Sequence, residues 1–123
     1  MSSGGDRTLL GRWGEATVAE DMRKKGWRIV ASGFRCRFGE IDLIATNDKY
    51  LSFTEVKLRK SDNFATAGSF VDGKKQQKLR TTAEYYLMSH PTELQPRFDV
   101  AEIYAPQGTA TINPKISYIE NAF

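Results

Sequence analysis

The chain has 123 residues, of which 40% are hydrophobic and 11% aromatic, which is enough for one folded domain with a core. Its single cysteine, Cys36, excludes an intrachain disulfide and a thiolate metal cluster, and its single histidine, His90, argues against histidine-rich zinc sites and Ser-His-Asp chemistry. The net charge of +3 is too small to indicate nucleic-acid binding by itself.

Residues 1–7 are rich in serine and glycine, so we expect a flexible tail followed by a single domain over residues 8–123. The N-terminus lacks the charged-then-apolar pattern of a signal peptide, and no apolar run approaches the length of a membrane span. We therefore expect a cytoplasmic protein without a membrane partner. The first element is a predicted helix from about Thr8 to Lys25, which Gly26 would end.

One acidic residue of this helix lies in an apolar sector. At about 100° per residue, Glu15 shares its sector with Val18, Ala19 and Met22. Gly11 and Gly14 would let the helix approach a sheet closely. We expect Glu15 to point toward the sheet and to help bind a metal ion, directly or through water. The alternative is an ordinary exposed glutamate, or one paired with a nearby arginine.

The next predicted element is a strand Trp27–Ala31, with Phe34–Phe38 either its continuation or a bend around Gly33. A hairpin of Glu40–Thr46 and Tyr50–Leu58 follows. With a two-residue turn at residues 48–49, Asp42 falls opposite Glu55, and Lys57 lies on the same strand face as Glu55. Carboxylates that face each other across a ladder repel, so a divalent cation bound by both is the simplest compensation. Glu40 would share the face of Asp42, either orienting a water there or standing as a plain strand-edge residue.

Both faces of the hairpin are apolar, with Ile41, Leu43, Ala45 and Val56 predicted on one face and Ile44, Leu51 and Phe53 on the other. Strands buried on both faces belong in the middle of a sheet covered by helices. The remaining predicted elements are a polar loop Ser61–Gly73, a helix Lys74–Ser89, a strand Arg97–Tyr104, and short late pieces at Thr109–Ile112 and Ile116–Ile119. This order predicts an α/β fold with a central mixed sheet flanked by helices.

Basic residues flank the acidic hairpin in three groups: Arg35 and Arg37; Lys57, Arg59 and Lys60; and Lys74, Lys75, Lys78 and Arg80. Cations around an acidic centre fit a phosphate-bearing substrate held over a metal site, and the alternative is a solvated basic surface. Arg97 and Asp99 are expected to form a structural ion pair rather than to act in catalysis. Four aromatic residues are expected in the core rather than in base stacking: Trp13, Trp27, Tyr85 and Tyr86.

The ordered motifs resemble the bacterial YraN-like family, which is placed in the PD-(D/E)XK nuclease superfamily. The residues that carry the resemblance are Gly11, Gly14-Glu15, Ala19 and Gly26, then the stretches 39–45, 53–57 with Arg59, 75–79 and 97–100. The resemblance implies a restriction-endonuclease-like core. It also implies an active-site acid at Asp42, the Glu-x-Lys motif at Glu55 and Lys57, and a first-helix acid at Glu15.

The implied activity is metal-dependent hydrolysis of DNA phosphodiester bonds, with Mg²⁺ or Mn²⁺ as cofactor. The predicted catalytic residues are Asp42, Glu55, Lys57 and Glu15, and the predicted metal ligands are Asp42, Glu55, the Val56 carbonyl and Glu15. The predicted nucleic-acid-binding residues are Arg35, Arg37, Arg59, Lys75, Gln76 and Lys78. For Lys75 and Gln76 the alternative is that both side chains are merely solvated.

The expected partner is DNA, with selectivity for branched or single-stranded structures as a finer hypothesis. A homodimer is also a hypothesis, because junction resolvases of similar fold work as dimers. The main alternative is a nucleic-acid-binding accessory module in DNA processing that does not cleave efficiently on its own. A purely structural interpretation would require the carboxylates to pair with protein cations.

Overall fold

The computed structural model describes the protein over residues 8–60 and 72–123. The elements in these ranges are α1 Leu9–Lys24, β1 Arg28–Cys36, β2 Gly39–Thr46, β3 Tyr50–Arg59, α2 Gly73–Ser89, β4 Gln95–Tyr104, a short 3-10 helix Gly108–Ala110 and β5 Lys115–Ile119. The five strands form one sheet in chain order, with β3 and β4 parallel and the other neighbours antiparallel. This confirms the predicted α/β fold with a restriction-endonuclease-like core.

Both helices begin at side-chain caps that the sequence supplies. The Thr8 hydroxyl accepts a hydrogen bond from the Gly11 N–H at 3.1 Å, and the Asp72 carboxylate accepts one from the Lys75 N–H at 2.8 Å. Such caps satisfy backbone donors that have no partner inside the helix. Both helix predictions are therefore confirmed to within one residue at each end.

Two predicted segments fall wholly or mostly outside the described part of the chain. The predicted tail, residues 1–7, lies outside the described residues, and so do residues 61–71 of the predicted loop Ser61–Gly73. The last two residues of that loop are described, and they belong to the start of α2. Asp72 caps the helix and Gly73 is its first residue, so the predicted loop extends too far.

The sheet is covered on both faces, as the two-sided apolar hairpin predicts. On one face, α1 packs on the core of Val18, Ala19, Met22, Leu43, Ala45, Val56, Ala101 and Ile103. On the other face, α2 packs on the core of Ile41, Ile44, Leu51, Phe53, Leu79, Ala83 and Tyr86. The sheet therefore brings acidic residues of β2 and β3 into an interior that is otherwise apolar, where ionised groups are costly unless compensated.

The register of the β2–β3 hairpin is the predicted one. Leu43 pairs with Thr54 and Thr46 with Leu51, and the Asn47 N–H donates to the Tyr50 carbonyl at 3.1 Å across a two-residue turn. The paired ladder ends at Leu43 and Thr54, so that Asp42 and Glu55 stand one step beyond it.

Two smaller predictions are wrong. Ile41 belongs to the α2 face and not to the face of Leu43, because the alternation along β2 is interrupted between these two residues, opposite Gly33 of β1, whose φ of +68° departs from a regular strand. The short piece predicted at Thr109–Ile112 begins inside the 3-10 helix Gly108–Ala110. Tyr85 is 44% exposed on α2 rather than in the core, because the apolar stripe of that helix passes through its neighbour Tyr86.

Candidate active site

The carboxylates of Asp42 and Glu55 lie where β2 and β3 separate. The Val56 N–H donates to Asp42 Oδ2 at 2.9 Å. The Asp42 side chain thus provides an acceptor for β3 just beyond the end of the β2–β3 ladder. The Asp42 backbone N–H in turn hydrogen-bonds to the Glu55 carboxylate. Each acid is thus held by a backbone amide of the other's strand segment. Both side chains are only 5% exposed.

Burial determines the protonation of this pair. It raises the pKa of Asp42 to about 7, against the opposing hydrogen bond from Val56, and the Glu15 carboxylate raises it further. Burial also raises the pKa of Glu55 to about 8, with the Asp42 charge adding to the effect. Desolvation and like charge both disfavour ionisation, so two ionised carboxylates here need a compensating cation.

Helix α1 delivers the third predicted acid. Gly14 is buried against β3, where a Cβ atom would lie 3.3 Å from the Leu58 side chain, so α1 approaches the sheet closely at this point. The next residue, Glu15, is 5% exposed, and the Ser32 hydroxyl lies 3.5 Å from its Oε1. Its charge acts on Asp42. The predicted inward orientation of Glu15 is confirmed, and the exposed alternative is excluded.

Lys57 completes the predicted group. Burial lowers its pKa, and the adjacent Lys75 of α2 lowers it further, while Glu55 and Asp42 oppose the shift. Lys75 also acts on Glu55. The structure therefore joins Asp42, Glu55 and Lys57 in one charge cluster, which Glu15 reaches through its effect on Asp42. It adds Lys75, which was predicted only as a nucleic-acid-binding residue, to the same cluster.

The donor set fits a hard divalent cation. Glu55 Oε2 is fully buried and has no hydrogen-bond partner among the described residues, which is a costly arrangement for a carboxylate oxygen. Within residues 8–60 and 72–123, no three acidic, histidine or cysteine side chains converge as a ready set of ligands. Mg²⁺ is typically held by one or two carboxylates together with waters and substrate oxygens, so the Asp42–Glu55 pair is sufficient. The Val56 carbonyl and Glu15 stay predictions as further ligands.

A cavity of about 570 Å³ opens beside Glu55, between the β1–β2 turn and the start of α2. Its charged lining residues are the acids Glu40, Glu55 and Asp72 and the cations Arg35, Arg37, Lys74, Lys75 and Lys78. The helix α2 contributes its N-terminal turn, where backbone N–H groups and the helix dipole favour an anion. Five cations in the same cavity as the buried Glu55 suit a phosphodiester that approaches a metal site.

Four of the six predicted nucleic-acid-binding residues line this cavity: Arg35, Arg37, Lys75 and Lys78. Arg35 also pairs with Glu40 at 3.1 Å, which gives Glu40 a partner at the cavity edge. Arg59 does not line the cavity. Its Nε lies 2.9 Å from Oε2 of Glu102, which is 1% exposed, so Arg59 neutralises a buried acid. Gln76, which is half-buried on α2, does not line the cavity either.

Three residues were missed or left undecided by the sequence prediction. Lys74 belongs to the basic group that begins in the first turn of α2 and could have been included from its position alone. Phe38 lines the cavity from the tip of the β1–β2 turn. The only indication of this role in the sequence is its position between the charged residues Arg35 and Glu40. Glu102 lies inside the apolar strand β4, where an acidic residue indicates a buried partner.

Arg97 and Asp99 form the predicted structural ion pair. The Arg97 Nε lies 2.9 Å from Asp99 Oδ1, which also accepts the Asn121 N–H at 2.8 Å, and the Ser52 hydroxyl donates to Oδ2. Both carboxylate oxygens of Asp99 thus accept hydrogen bonds from groups of the protein. This buried network is separate from the Asp42–Glu55 pair and has the character of a structural anchor for β4.

Comparison with known proteins identifies the family. The model of the uncharacterised protein family UPF0102 matches residues 14–103. A UPF0102 protein of Caldanaerobacter subterraneus is 40% identical over 96% of this chain and 97% of its own length. UPF0102 proteins of Caldicellulosiruptor bescii (40% identical, 93% and 96% covered) and Nitrosomonas europaea (35% identical, 100% and 98% covered) are similar along nearly their whole lengths. In the described ranges, no helix is both long and apolar enough to cross a membrane.

Proposed function

We propose that this chain, which belongs to the uncharacterised protein family UPF0102, is a nuclease that hydrolyses DNA phosphodiester bonds with Mg²⁺ or Mn²⁺. The observation that carries the proposal is the buried pair of Asp42 and Glu55, which leaves one carboxylate oxygen without a partner among the described residues, beside Lys57 and a cavity lined by cations. Structural carboxylates are normally satisfied by protein donors, as Asp99 and Glu102 are in this same sheet.

Asp42 and Glu55 are the residues that would hold the cation, and Glu15 would tune the charge on Asp42. When bound, the cation supplies Lewis-acid polarisation of the scissile phosphate. The chain keeps the pair oriented through the two backbone hydrogen bonds that join β2 to β3. Because these amides are part of the sheet, the carboxylates are pre-organised and need little rearrangement during the reaction.

Lys57 is suited to proton transfer. Its pKa is lowered by burial, so its neutral amine is more accessible than that of a surface lysine and can take a proton from the attacking water. Lys75 stands next to it and lines the cavity, where it offers a positive charge to the phosphate. The two lysines therefore have different roles, and replacing either one is expected to slow cleavage without unfolding the sheet.

The decisive experiment is a cleavage panel with duplex, single-stranded, flap and junction DNA, each with Mg²⁺, Mn²⁺ or EDTA. Wild-type protein is expected to cut in the presence of metal only, and Asp42→Asn to lose at least about a hundredfold in rate, because it removes a metal-binding charge but keeps an acceptor for the Val56 N–H. The matched control is Asp48→Asn, at the exposed turn of the same hairpin. Equal cleavage by wild type and Asp42→Asn would refute the assignment and indicate a contaminant.

One observation favours the accessory-module alternative. The absence of a third converging acid among the described residues leaves the cation with few protein ligands, so affinity for metal could depend on bound DNA or on a partner. Salt-sensitive DNA binding without cleavage of any substrate in the panel would support that alternative over the nuclease proposal.

A further inference from the structure

The rim of the cavity carries an aromatic pair with a cation above it. The β1–β2 turn consists of two residues, Arg37 and Phe38, between the paired strand ends Cys36 and Gly39. The Phe38 ring lines the cavity, and its centroid lies 5.7 Å from that of Tyr85 at an interplanar angle of 61°. The Arg37 guanidinium lies 4.8 Å from the Phe38 ring centre. Neither aromatic ring belongs to the core clusters of the sheet.

The turn that presents Phe38 is held in place by close backbone packing. Gly39 has φ +154°, and a Cβ atom there would lie 2.9 Å from Oγ1 of Thr82 on α2. The backbone after Phe38 therefore rests directly on the helix that carries Tyr85. A ring that is positioned before binding loses little conformational entropy when a ligand stacks on it.

We propose that Phe38, supported by Tyr85 and Arg37, is a base-stacking platform that makes the site selective for DNA with unpaired bases. This rests on the proposed function, because the platform borders the cavity that reaches Glu55. In a duplex, both faces of every base are covered by neighbouring pairs, and extruding a base costs a few kcal/mol. An unpaired base offers its face at no such cost, and stacking on an aromatic side chain contributes about 1–3 kcal/mol per base.

The dimensions of the cavity agree with a single strand, and its charge suits DNA of either kind. A volume of about 570 Å³ lies in the range of sites that accept one small molecule and is far below that of a duplex segment. The five lining cations bind phosphates without regard to base pairing, so they add affinity for any DNA. Discrimination must come from groups that contact bases, and Phe38 is the aromatic residue that lines this cavity among the described residues.

The test is DNA binding in EDTA, so that cleavage does not interfere. Fluorescence anisotropy would compare a labelled 15-nucleotide oligothymidylate with a 15-base-pair duplex at the same salt concentration. Wild-type protein is expected to bind the single strand more tightly. Phe38→Leu, which keeps an apolar side chain but removes the ring, is expected to raise the Kd for the single strand about tenfold and to change that for the duplex less than about twofold.

Two further variants keep the test decisive. Tyr85→Leu, at a position that is 44% exposed, should weaken single-strand binding several-fold even if Phe38→Leu does not fold. Phe123→Leu removes a ring that stacks on Phe98 on the same sheet face but does not line the cavity, and it should leave both affinities unchanged. Tighter or equal duplex binding by wild type, no binding of either DNA, or an equal loss for both in the rim variants would overturn the proposal.

The failure of this inference can be told apart from failure of the proposed function. If the nuclease proposal is wrong, no metal supports cleavage, while the ring-dependent preference for single strands can still be measured in EDTA. If only the stacking inference is wrong, metal-dependent cleavage remains and Phe38→Leu shows the same substrate preference as wild type.

Discussion

Replacing Glu55 by glutamine should make the metal-free protein less sensitive to alkaline pH. The pKa of Glu55 is raised from 4.5 to about 8 by burial and by the Asp42 charge. Between these two values the folded state holds a proton that the unfolded chain has lost. The unfolded state then binds fewer protons than the native state, so the free energy of unfolding falls as the pH rises. Glutamine removes this titration while keeping the shape of the side chain.

The magnitude follows from the size of the shift. One pKa unit corresponds to about 1.4 kcal/mol, and between pH 5 and pH 8 the Glu55 carboxyl alone accounts for roughly 3 kcal/mol of lost stability. For a chain of this length about 1 kcal/mol changes the Tm by roughly 4 °C. The wild-type Tm should therefore fall by about 12 °C more than the Tm of Glu55→Gln over this pH range. Asp42 titrates in both proteins, so its contribution to the pH dependence of the Tm largely cancels in the comparison.

The assay is thermal unfolding followed by circular dichroism at several pH values, in EDTA and in 10 mM Mg²⁺. Magnesium should raise the wild-type Tm at pH 8, by about 6 °C if the Kd is about 1 mM, and should have little effect on Glu55→Gln. Glu84→Gln, an exposed glutamate of α2, is the matched control and should behave like wild type. Parallel pH profiles for wild type and Glu55→Gln would refute the reasoning that Glu55 is a buried, uncompensated carboxyl.

Two further predictions concern stability. Arg59→Ala should lower the free energy of unfolding by roughly 2 kcal/mol, because it leaves the buried Glu102 carboxylate without its ion-pair partner. Denaturant unfolding should show that adding Glu102→Gln recovers most of this loss, and no recovery would show that the pair is not the cause. Gly39→Ala should cost about 1–3 kcal/mol through its backbone strain and the contact with Thr82, measured in the same way, and Thr82→Ala in the same chain should relieve only the contact. A neutral Gly39→Ala would contradict the close packing of the turn on α2.

The local elements could be predicted from sequence because their signals are local. The apolar period of the helices, the glycine at position 26 that follows α1 and the two-residue hairpin turn each depend on residues within one or two turns of chain. The hairpin register also placed Asp42 beside Glu55, since a turn of known length leaves a single alignment. The prediction failed for Ile41, because strict alternation is interrupted between Ile41 and Leu43, opposite Gly33 of β1.

Other features depend on contacts between residues far apart in the chain. The sequence could rank Arg59 and Lys75 only as similar basic residues, yet one neutralises Glu102 on β4 and the other lies beside Lys57 at the buried acids. Which cation meets which acid is decided by the parallel pairing of β3 with β4 and by the position of α2 on the sheet.

Periodicity, helix-ending residues and turn length act over short distances along the chain, so the helices, the strands and the candidate acids can be recognised from sequence. Packing adds what no segment shows alone: Asp99 and Glu102 have partners, Glu55 keeps an unsatisfied oxygen, and Phe38 meets Tyr85 at the mouth of a basic cavity. This difference arises because burial, desolvation and charge pairing are properties of the packed interior and not of any single segment.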